Sequence, residues 1–370
     1  MTRILITGLK EPAGGVENAV LAYTDNFDTN EITADFAFVC GEVSFADRIH
    51  GESFYLPNRV RHPLAYRQAL KAIFKNKQYD ALWCNYSGLT NIDFLKEAKK
   101  CGVPTRIVHS HAARHSWGNP LMKYLVPFFH NKNQKVIDKY TTDFWACSKK
   151  AAVFMFGEKL AERSTVIPNT VNTEKFRKDP ALKQAVLKEF GIPEDAVIVG
   201  HVGRMCVDKN QQFLLDIMKE VAALNDKAVL LFVGDGELKD SVTAYADSIG
   251  ITDKVIFTGS RTDVDVLLQA MDVFLLPSLS EGFPVTVVEA QAADTPCVVS
   301  SEAVVREADI AGFTTFMSLS ESPALWANAV LEAASTTVSG GAQKLIAAGY
   351  DSKAAAAALQ SFFKGESEGV

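Results

Sequence analysis

The chain has 370 residues, a length that suggests two domains and allows two separate cores. Hydrophobic residues make up 48% and charged residues 22%, an ordinary balance for a soluble globular enzyme. The net charge of −6 argues against nucleic acid as the main partner, because phosphate backbones are held by clustered Lys and Arg.

Short apolar strands alternate with helical patterns along most of the chain, which favours parallel sheets covered by helices. In the first half the strands are expected at Arg3–Thr7, Asp35–Cys40, Ser53–Leu56, Ala81–Asn85, Thr105–His109, Phe144–Ala146 and Thr165–Ile167. Helices are expected at Val16–Phe27, Leu64–Lys75, Ile92–Lys100 and Leu121–Tyr140, and at Lys149–Phe156 between a Ser148 cap and Gly157. Pro168 to about Pro193 reads as a linker with a short helix. A second series of strands follows at Ala196–Val202, Ala228–Val233, Lys254–Thr258, Asp272–Leu276 and Pro296–Ser300. Its helices are Gln211–Leu224, Leu238–Ile249, Val264–Met271 and Val285–Ala293; in the first, Leu214, Ile217, Met218 and Val221 share one face. The tail Lys353–Lys364 is helical, and Gly365–Val370 is expected to fray. The domains are 1–170, 171–348 and a C-terminal helix, 349–370, packing back toward the first domain. The fold class is α/β, with two doubly wound Rossmann-like domains facing across a cleft, and ligands are expected at the carboxyl ends of the strands.

Cys40, Cys84, Cys101, Cys147, Cys206 and Cys297 form no CxxC pair and read as reduced core residues of a cytosolic protein. The chain opens on a strand-like run, so no signal peptide is expected, and no apolar run approaches the ~20 residues that cross a bilayer.

The most informative segment runs from Pro277 to Ala290, after an apolar strand and into a helix. Pro284 suits the first helical turn, which would leave the N–H groups of Val285 and Thr286 free to bind an anion such as a diphosphate. Gly282 allows close backbone approach. Glu289 is placed to accept hydrogen bonds from two ribose hydroxyls, and Glu281 to reach a bound sugar; a capped helix with one buried and one exposed carboxylate fits equally well. Arg204 and Lys209 follow another strand and would neutralise a departing diphosphate, unless the loop is merely solvated. The loop from Thr258 to Arg261 lies on the same edge and would offer backbone groups to a base.

Together, Glu281-Gly282-Phe283-Pro284 with Glu289, Gly203-Arg204 with Lys209-Asn210, Phe232–Gly236 and Val255–Gly259 resemble the family 4 retaining glycosyltransferases of GT-B fold. Order and spacing fit from about Val166 to Val299. The resemblance implies that Arg204 and Lys209 bind the donor phosphates, Glu289 the ribose and Glu281 the donor sugar, assisted by backbone after Gly282. Phe283, Pro284, Val285, Thr286 and Arg261 are counted with the donor site.

In the first half, Gly14-Gly15 precedes a helix, matching the family's glycine-rich loop; it is not G-x-G-x-x-G, which counts against a dinucleotide-binding dehydrogenase. His109, His111 and His115 invite a metal reading, but His109 and His111 are expected to point to opposite sides of a continuing strand, and no Asp, Glu or Cys completes a ligand set. The segment is similar to the His-Ser-His strand end of bacterial exopolysaccharide transferases, where one His lies near the donor sugar; His111 is favoured over His109, for which a core role competes. Asp263-Val264-Asp265 starts a helix rather than following a strand, so it is not read as a metal site.

Lys123, Lys132, Lys135 and Lys139, with Arg59, Arg61, Arg67, Lys71, Lys75 and Lys77, suit either an anionic membrane surface or a solvated face. The resemblance implies transfer from a nucleotide diphosphate sugar, a UDP-sugar by preference, to a saccharide or polyprenyl-diphosphate-linked acceptor of capsule or exopolysaccharide synthesis. No metal or other cofactor is expected, and the expected place is the cytoplasm, with the inner face of the membrane left open. A sugar-nucleotide epimerase and a non-catalytic nucleotide-sugar-binding protein are the alternatives.

Overall fold

Short apolar runs build two all-parallel sheets, one in each of the units into which the chain divides: Met1–Thr170 with Ser352–Val370, and Val171–Asp351. The computed structural model describes residues 1–11, 14–39, 41–114 and 122–367.

In the first unit the chain runs β1 (Thr2–Thr7), α1 (Gly15–Thr24), β2 (Ile32–Phe38), β3 (Ser53–Tyr55), α2 (Pro63–Asn76), β4 (Ala81–Tyr86), α3 (Asp93–Lys100), β5 (Thr105–Ser110), α4 (Met122–Gln134), β6 (Asp143–Ala146), α5 (Lys149–Phe156), α6 (Glu158–Ala161) and β7 (Thr165–Val166). The sheet order is β3-β2-β1-β4-β5-β6-β7. Strands β1 and β4 are nearly all apolar in their buried stretches because helices cover both faces.

The second unit runs α7 (Pro180–Phe190), β8 (Val197–Val202), α8 (Gln211–Leu224), β9 (Ala228–Val233), α9 (Lys239–Ser248), β10 (Val255–Gly259), α10 (Val264–Ala270), β11 (Val273–Leu276), α11 (Val285–Ala292), β12 (Cys297–Ser300), β13 (Thr314–Met317), α12 (Pro323–Ser335) and α13 (Gly341–Ala347). Its order is β10-β9-β8-β11-β12-β13. The expected apolar stripe of α8 is fully buried, at Leu214, Ile217, Met218 and Val221. The stretch after Ser300, where the alternation pattern assigns nothing, adds β13, α12 and α13, and Trp326 of α12 is buried beside α8.

The second unit runs to Asp351 rather than 348 because its end is tied to its start. Val171 N–H donates to Tyr350 O at 3.0 Å, and Thr173 Oγ1 to Asp351 Oδ2 at 2.6 Å. The chain then re-enters the first unit as α14 (Ser352–Lys364). Its apolar face, Ala356, Leu359 and Phe363, completes the core around Trp83 and Trp145. Polar bonds fix its register: Asp28 N–H donates to Gln360 Oε1 at 2.9 Å, and Gln360 Nε2 and Lys364 Nζ reach Glu31 at 2.6 and 3.0 Å.

Several expectations change. The single helix Leu121–Tyr140 is instead α4 ending at Gln134, followed by a tight turn at Ile137–Lys139 that carries Ile137 into the core; Leu121 lies outside the described residues. Among the cysteines, Cys84, Cys147 and Cys297 are buried, whereas Cys101 at the end of α3 is exposed and Cys206 is half-buried; Cys40 lies outside the described residues. His109 and His111 do not point to opposite sides: their ring centroids are 4.1 Å apart. Residues two apart on a strand share a face, and the chain keeps that direction past Ser110. His115 and residues 368–370 lie outside the described residues.

Phe363→Ala should cost roughly 3–5 kcal/mol of first-unit stability, the range for emptying a buried aromatic site. A shift of the denaturation midpoint of Trp fluorescence measures this, since the Phe363 ring lies 5.9 Å from Trp83 and 6.1 Å from Trp145.

Candidate functional site

In the second sheet, β8 pairs with β9 on one side and with β11 on the other, so the strand order reverses between β8 and β11. Loops leaving these two strands diverge there, which is where open parallel sheets bind ligands. The loops are 203–210 and 277–284. Close backbone packing sets the first: Gly203 N–H donates to Val233 O at 3.0 Å and Met205 N–H to Asp235 O at 2.9 Å. At Gly234, with φ 138°, a Cβ would stand 2.0 Å from Gly203 O, so only glycine fits. Leu279 N–H donates to Asp208 O at 2.8 Å, and Asn210 Nδ2 to Pro277 O at 3.1 Å, which joins the two loops.

Three side chains meet where the loops join. Lys209 Nζ lies 2.8 Å from Glu281 Oε1, and the same oxygen accepts Ser278 Oγ at 2.5 Å. Their burial is substantial, at 18% side-chain exposure for Lys209 and 10% for Glu281. Arg204 differs. Its side chain is 63% exposed, and its contact with Glu237 is 3.6 Å long, a surface pair of little strength. Gln211 Nε2 holds the Arg204 carbonyl at 3.0 Å while its own Oε1 is buried without a partner.

At the start of α11, Pro284 occupies the cap position rather than the first helical turn. Val285 N–H donates to Phe283 O at 3.0 Å and is not free for an anion, which narrows the expected pair of free amides. Beside it, Thr286 Oγ1 is buried with no hydrogen-bond partner. Phe283 is 8% exposed and stacks on Tyr350 at 6.0 Å, so its ring anchors the turn. Gly282 lies in the bend before it. Glu289, one turn into the helix, is half-buried, and burial first, then the Asp265 carboxylate, pushes its pKa up to about 7. Arg261 is engaged elsewhere: its guanidinium bonds Asp263 at 2.7 Å and Glu189 at 2.8 Å. Asp263 is thereby occupied by a cation, and α10 starts right after it.

His201, at the end of β8, drew no notice in the sequence. It is fully buried, and its Nδ1 lies 2.9 Å from Leu275 O. A carbonyl only accepts, so Nδ1 carries the proton and the unpartnered Nε2 presents a lone pair. Burial outweighs the upward pull of the Leu275 carbonyl and, with a smaller push from Lys209, brings its pKa down to about 4.

The first sheet reverses between β1 and β4. Glu17 is 3% exposed and organises the loop beside this point, accepting Lys10 N–H at 3.0 Å and Gly14 N–H at 2.9 Å. The Gly14 amide is therefore occupied, while a Cβ at Gly15 would meet nothing within 4 Å. At the end of β5, His109 is 1% exposed and lies parallel to Trp83, with ring centroids 6.0 Å apart. Its pKa falls well below the usual imidazole range through burial and the neighbouring His111. His111 is 8% exposed, its Nε2 lies 2.9 Å from Asn85 Oδ1, and burial pushes its pKa down to about 3. Among the described residues no group of three His, Cys, Asp or Glu side chains is placed to hold a metal ion.

Residues 183–352 match the profile described as glycosyl transferases group 1. A protein of Bacillus subtilis bearing the glycosyltransferase name EpsF is 30% identical over 334 residues, covering 87% of this chain and 85% of that one. The chain belongs to the glycosyl transferases group 1 family. A further relative is the UDP-Gal:α-D-GlcNAc-diphosphoundecaprenol α-1,3-galactosyltransferase of Escherichia coli, 30% identical over 63% of this chain and 60% of its own length. HepE of Anabaena, solved in complex with UDP, superimposes with a TM-score of 0.78 at 16% identity, covering 99% of this chain and 100% of that one. WaaG, described as a glycosyltransferase involved in lipopolysaccharide biosynthesis, gives 0.69 at 15% identity, with 98% of each chain covered. The fold of this group 1 glycosyltransferase is GT-B, built from two Rossmann-like units.

Sequence reasoning passed over Ser278, His201, Gln211, Glu17 and Asn85. Ser278 stood inside the Pro277–Ala290 segment and Glu17 inside the expected helix Val16–Phe27, but Ser-to-carboxylate and amide-to-carboxylate bonds depend on loop geometry that spacing does not encode.

Because its folded pKa is raised, the Glu289 carboxyl favours the native state below its unfolded pKa and loses that contribution as pH rises toward about 7. Glu289→Gln should therefore stabilise the ligand-free enzyme above pH 7, by on the order of 1–3 kcal/mol. The difference should vanish below pH 4.5; thermal unfolding across pH measures it.

Proposed function

We propose that this glycosyltransferase moves a sugar from a UDP-sugar to a lipid-linked saccharide in bacterial polysaccharide synthesis, with retention at the anomeric carbon and without a metal ion. The observation carrying this reading is the Lys209–Glu281–Ser278 cluster at the strand-order reversal of the second unit, with Arg204 beside it on an exposed, weakly held side chain. A diphosphate entering there meets two cations within one loop. Lys209 is already desolvated and aimed, and Arg204 is free to fold onto the anion, since little is lost by leaving Glu237.

In the reaction, the bond from the anomeric carbon to the phosphate oxygen breaks, and its electron pair leaves with the diphosphate. Arg204, Lys209 and the turn at Thr286 stabilise the developing charge. The acceptor hydroxyl oxygen bonds the anomeric carbon on the same face, and its proton passes to the departing phosphate oxygen. No protein nucleophile is needed, and the two cations take the part that a metal ion plays elsewhere. Glu281, once the diphosphate has taken over Lys209, has oxygens to offer to hydroxyls of the donor sugar. Glu289 accepts from the ribose hydroxyls; its pKa of about 7 makes the ionised acceptor available at neutral pH and above.

A UDP donor is supported by the UDP complex of HepE, and the acceptor class by the galactosyltransferase relative that acts on a diphosphoundecaprenol-linked sugar. Among the described residues no helix is long and apolar enough to cross a membrane. Contact with a membrane surface instead suits α4, where Tyr124, Leu125 and Phe128 are exposed and Lys123 and Lys132 lie on the same helix.

Lys209→Ala should lower turnover by ~10²–10³ with the donor saturating, as for loss of one charge-stabilising group. Glu289→Ala should raise the donor KM by roughly ten- to a hundredfold, the worth of hydrogen bonds to a charged acceptor. Transfer should survive EDTA. Near-normal kinetics in both variants would remove the basis for the site, and loss of transfer on chelation would remove the metal-free mechanism.

A further inference from the structure

We infer that Asn85 is an acceptor-binding residue and His111 its positioning residue: the His111 ring holds the Asn85 carbonyl oxygen and turns the Asn85 NH2 group into the cavity of the first unit, toward a hydroxyl of the acceptor saccharide. This rests on the transferase reading above.

Asn85 is 1% exposed, at the end of β4, where the strand order of the first sheet reverses. Its backbone is pinned from the other side of that reversal. Gly8, with φ 101°, approaches so closely that a Cβ would stand 1.8 Å from Asn85 O. The side chain is then fixed by one bond. His111 Nε2 lies 2.9 Å from Asn85 Oδ1. An amide oxygen only accepts, so Nε2 carries the proton and Nδ1 is bare. The ring is neutral across the physiological range, because burial opposes its charging. With its oxygen occupied, Asn85 has an NH2 group that is buried and without a hydrogen-bond partner. Such a group left unsatisfied is costly, so it marks a place for an acceptor atom to arrive.

A cavity of about 550 Å³ opens there, lined by Lys10, Glu17, Asn85, Thr90, Ala112 and Arg114 among others. A second, of about 330 Å³, shares Gly8, Lys10 and Thr90 with it. The combined space is that of a small-molecule site. Its walls offer N–H donors of both side-chain kinds, amide and cationic, together with the Glu17 carboxylate. With Lys10 and Arg114 in the same lining as Glu17, the walls carry both signs of charge. A hydroxyl both accepts and donates, and a sugar carries several, so a saccharide matches this mixture. His111 acts through Asn85 here and does not touch the saccharide with Nε2, which is already taken.

The test uses the full chain, UDP-galactose and UDP-glucose as donors, and an N-acetylglucosamine diphospholipid with a shortened polyprenyl chain as acceptor. Asn85→Ala and Asn85→Asp should raise the acceptor KM at least tenfold and leave the donor KM and UDP affinity within twofold. His111→Phe should also raise the acceptor KM, and His111→Gln, whose amide can still donate to Asn85 Oδ1, should recover part of the loss. Nitrogen NMR of the wild type should show His111 as the Nε2–H tautomer, and Asn85→Ala should abolish that preference. An unmoved acceptor KM in the Asn85 variants, a shift in donor KM instead, or no transfer to this acceptor by an enzyme that binds UDP normally would each overturn the assignment. Failure of the transferase reading looks different: the wild type would not bind UDP at all.

Discussion

In each unit the first strand in the chain lies inside the sheet, third from one edge, between the strand that follows it and one that comes later in the chain. Strand β1 sits between β2 and β4, and β8 between β9 and β11. Because all the connections are parallel crossovers, the loops on either side of that central pair must leave in opposite directions. The gap this leaves is a topological necessity rather than a local accident. Everything chemical described above depends on it. Lys209 comes off one wall and Glu281 off the other in the second unit, as Gly8 and Asn85 do in the first.

Polar groups at these gaps are kept away from water, and that decides their behaviour. His201 and His111 are held neutral by burial, with one nitrogen fixed by a carbonyl or amide oxygen and the other bare. Glu289 is raised toward neutrality for the same reason. Lys209 and Glu281 are enclosed as a pair, Nζ to Oε1 at 2.8 Å, and removing either partner would leave the other without its contact. Arg204, on the solvated side, keeps an ordinary flexible pair with Glu237. One loop therefore presents a fixed cation and a mobile one.

Most of the fold could be read from the chain because apolar runs and helical stripes report directly on burial. Residues 228–233 and 211–224 were legible to the residue, since each is bounded by polar or turn-forming neighbours. The stretch after Ser300 was not: β13 lies at the sheet edge, half exposed, and its Thr-rich sequence lacks a buried run. Lys209, Glu281 and Glu289 were marked by their spacing around a strand and a helix start, and of these the fold brings Lys209 and Glu281 together at 2.8 Å. The Val285 amide was misjudged because the tight turn at Phe283, which takes up its N–H, has no sequence signature beyond the proline. Asn85 and His201 were invisible because their contacts, with His111 and with the Leu275 carbonyl, join residues far apart in the chain, with nothing local to mark them.

Helix α14 gives the molecule an unusual order of assembly. The core around Trp83 and Trp145 lacks one wall until Ala356, Leu359 and Phe363 arrive, and these are translated after the whole of the second unit. During synthesis the second unit can thus finish folding first, while the earlier part of the chain waits with an open apolar flank. Ribosomal stalling or proteolysis near Asp351 would release a product with one sound half and one sticky half, a natural target for chaperones.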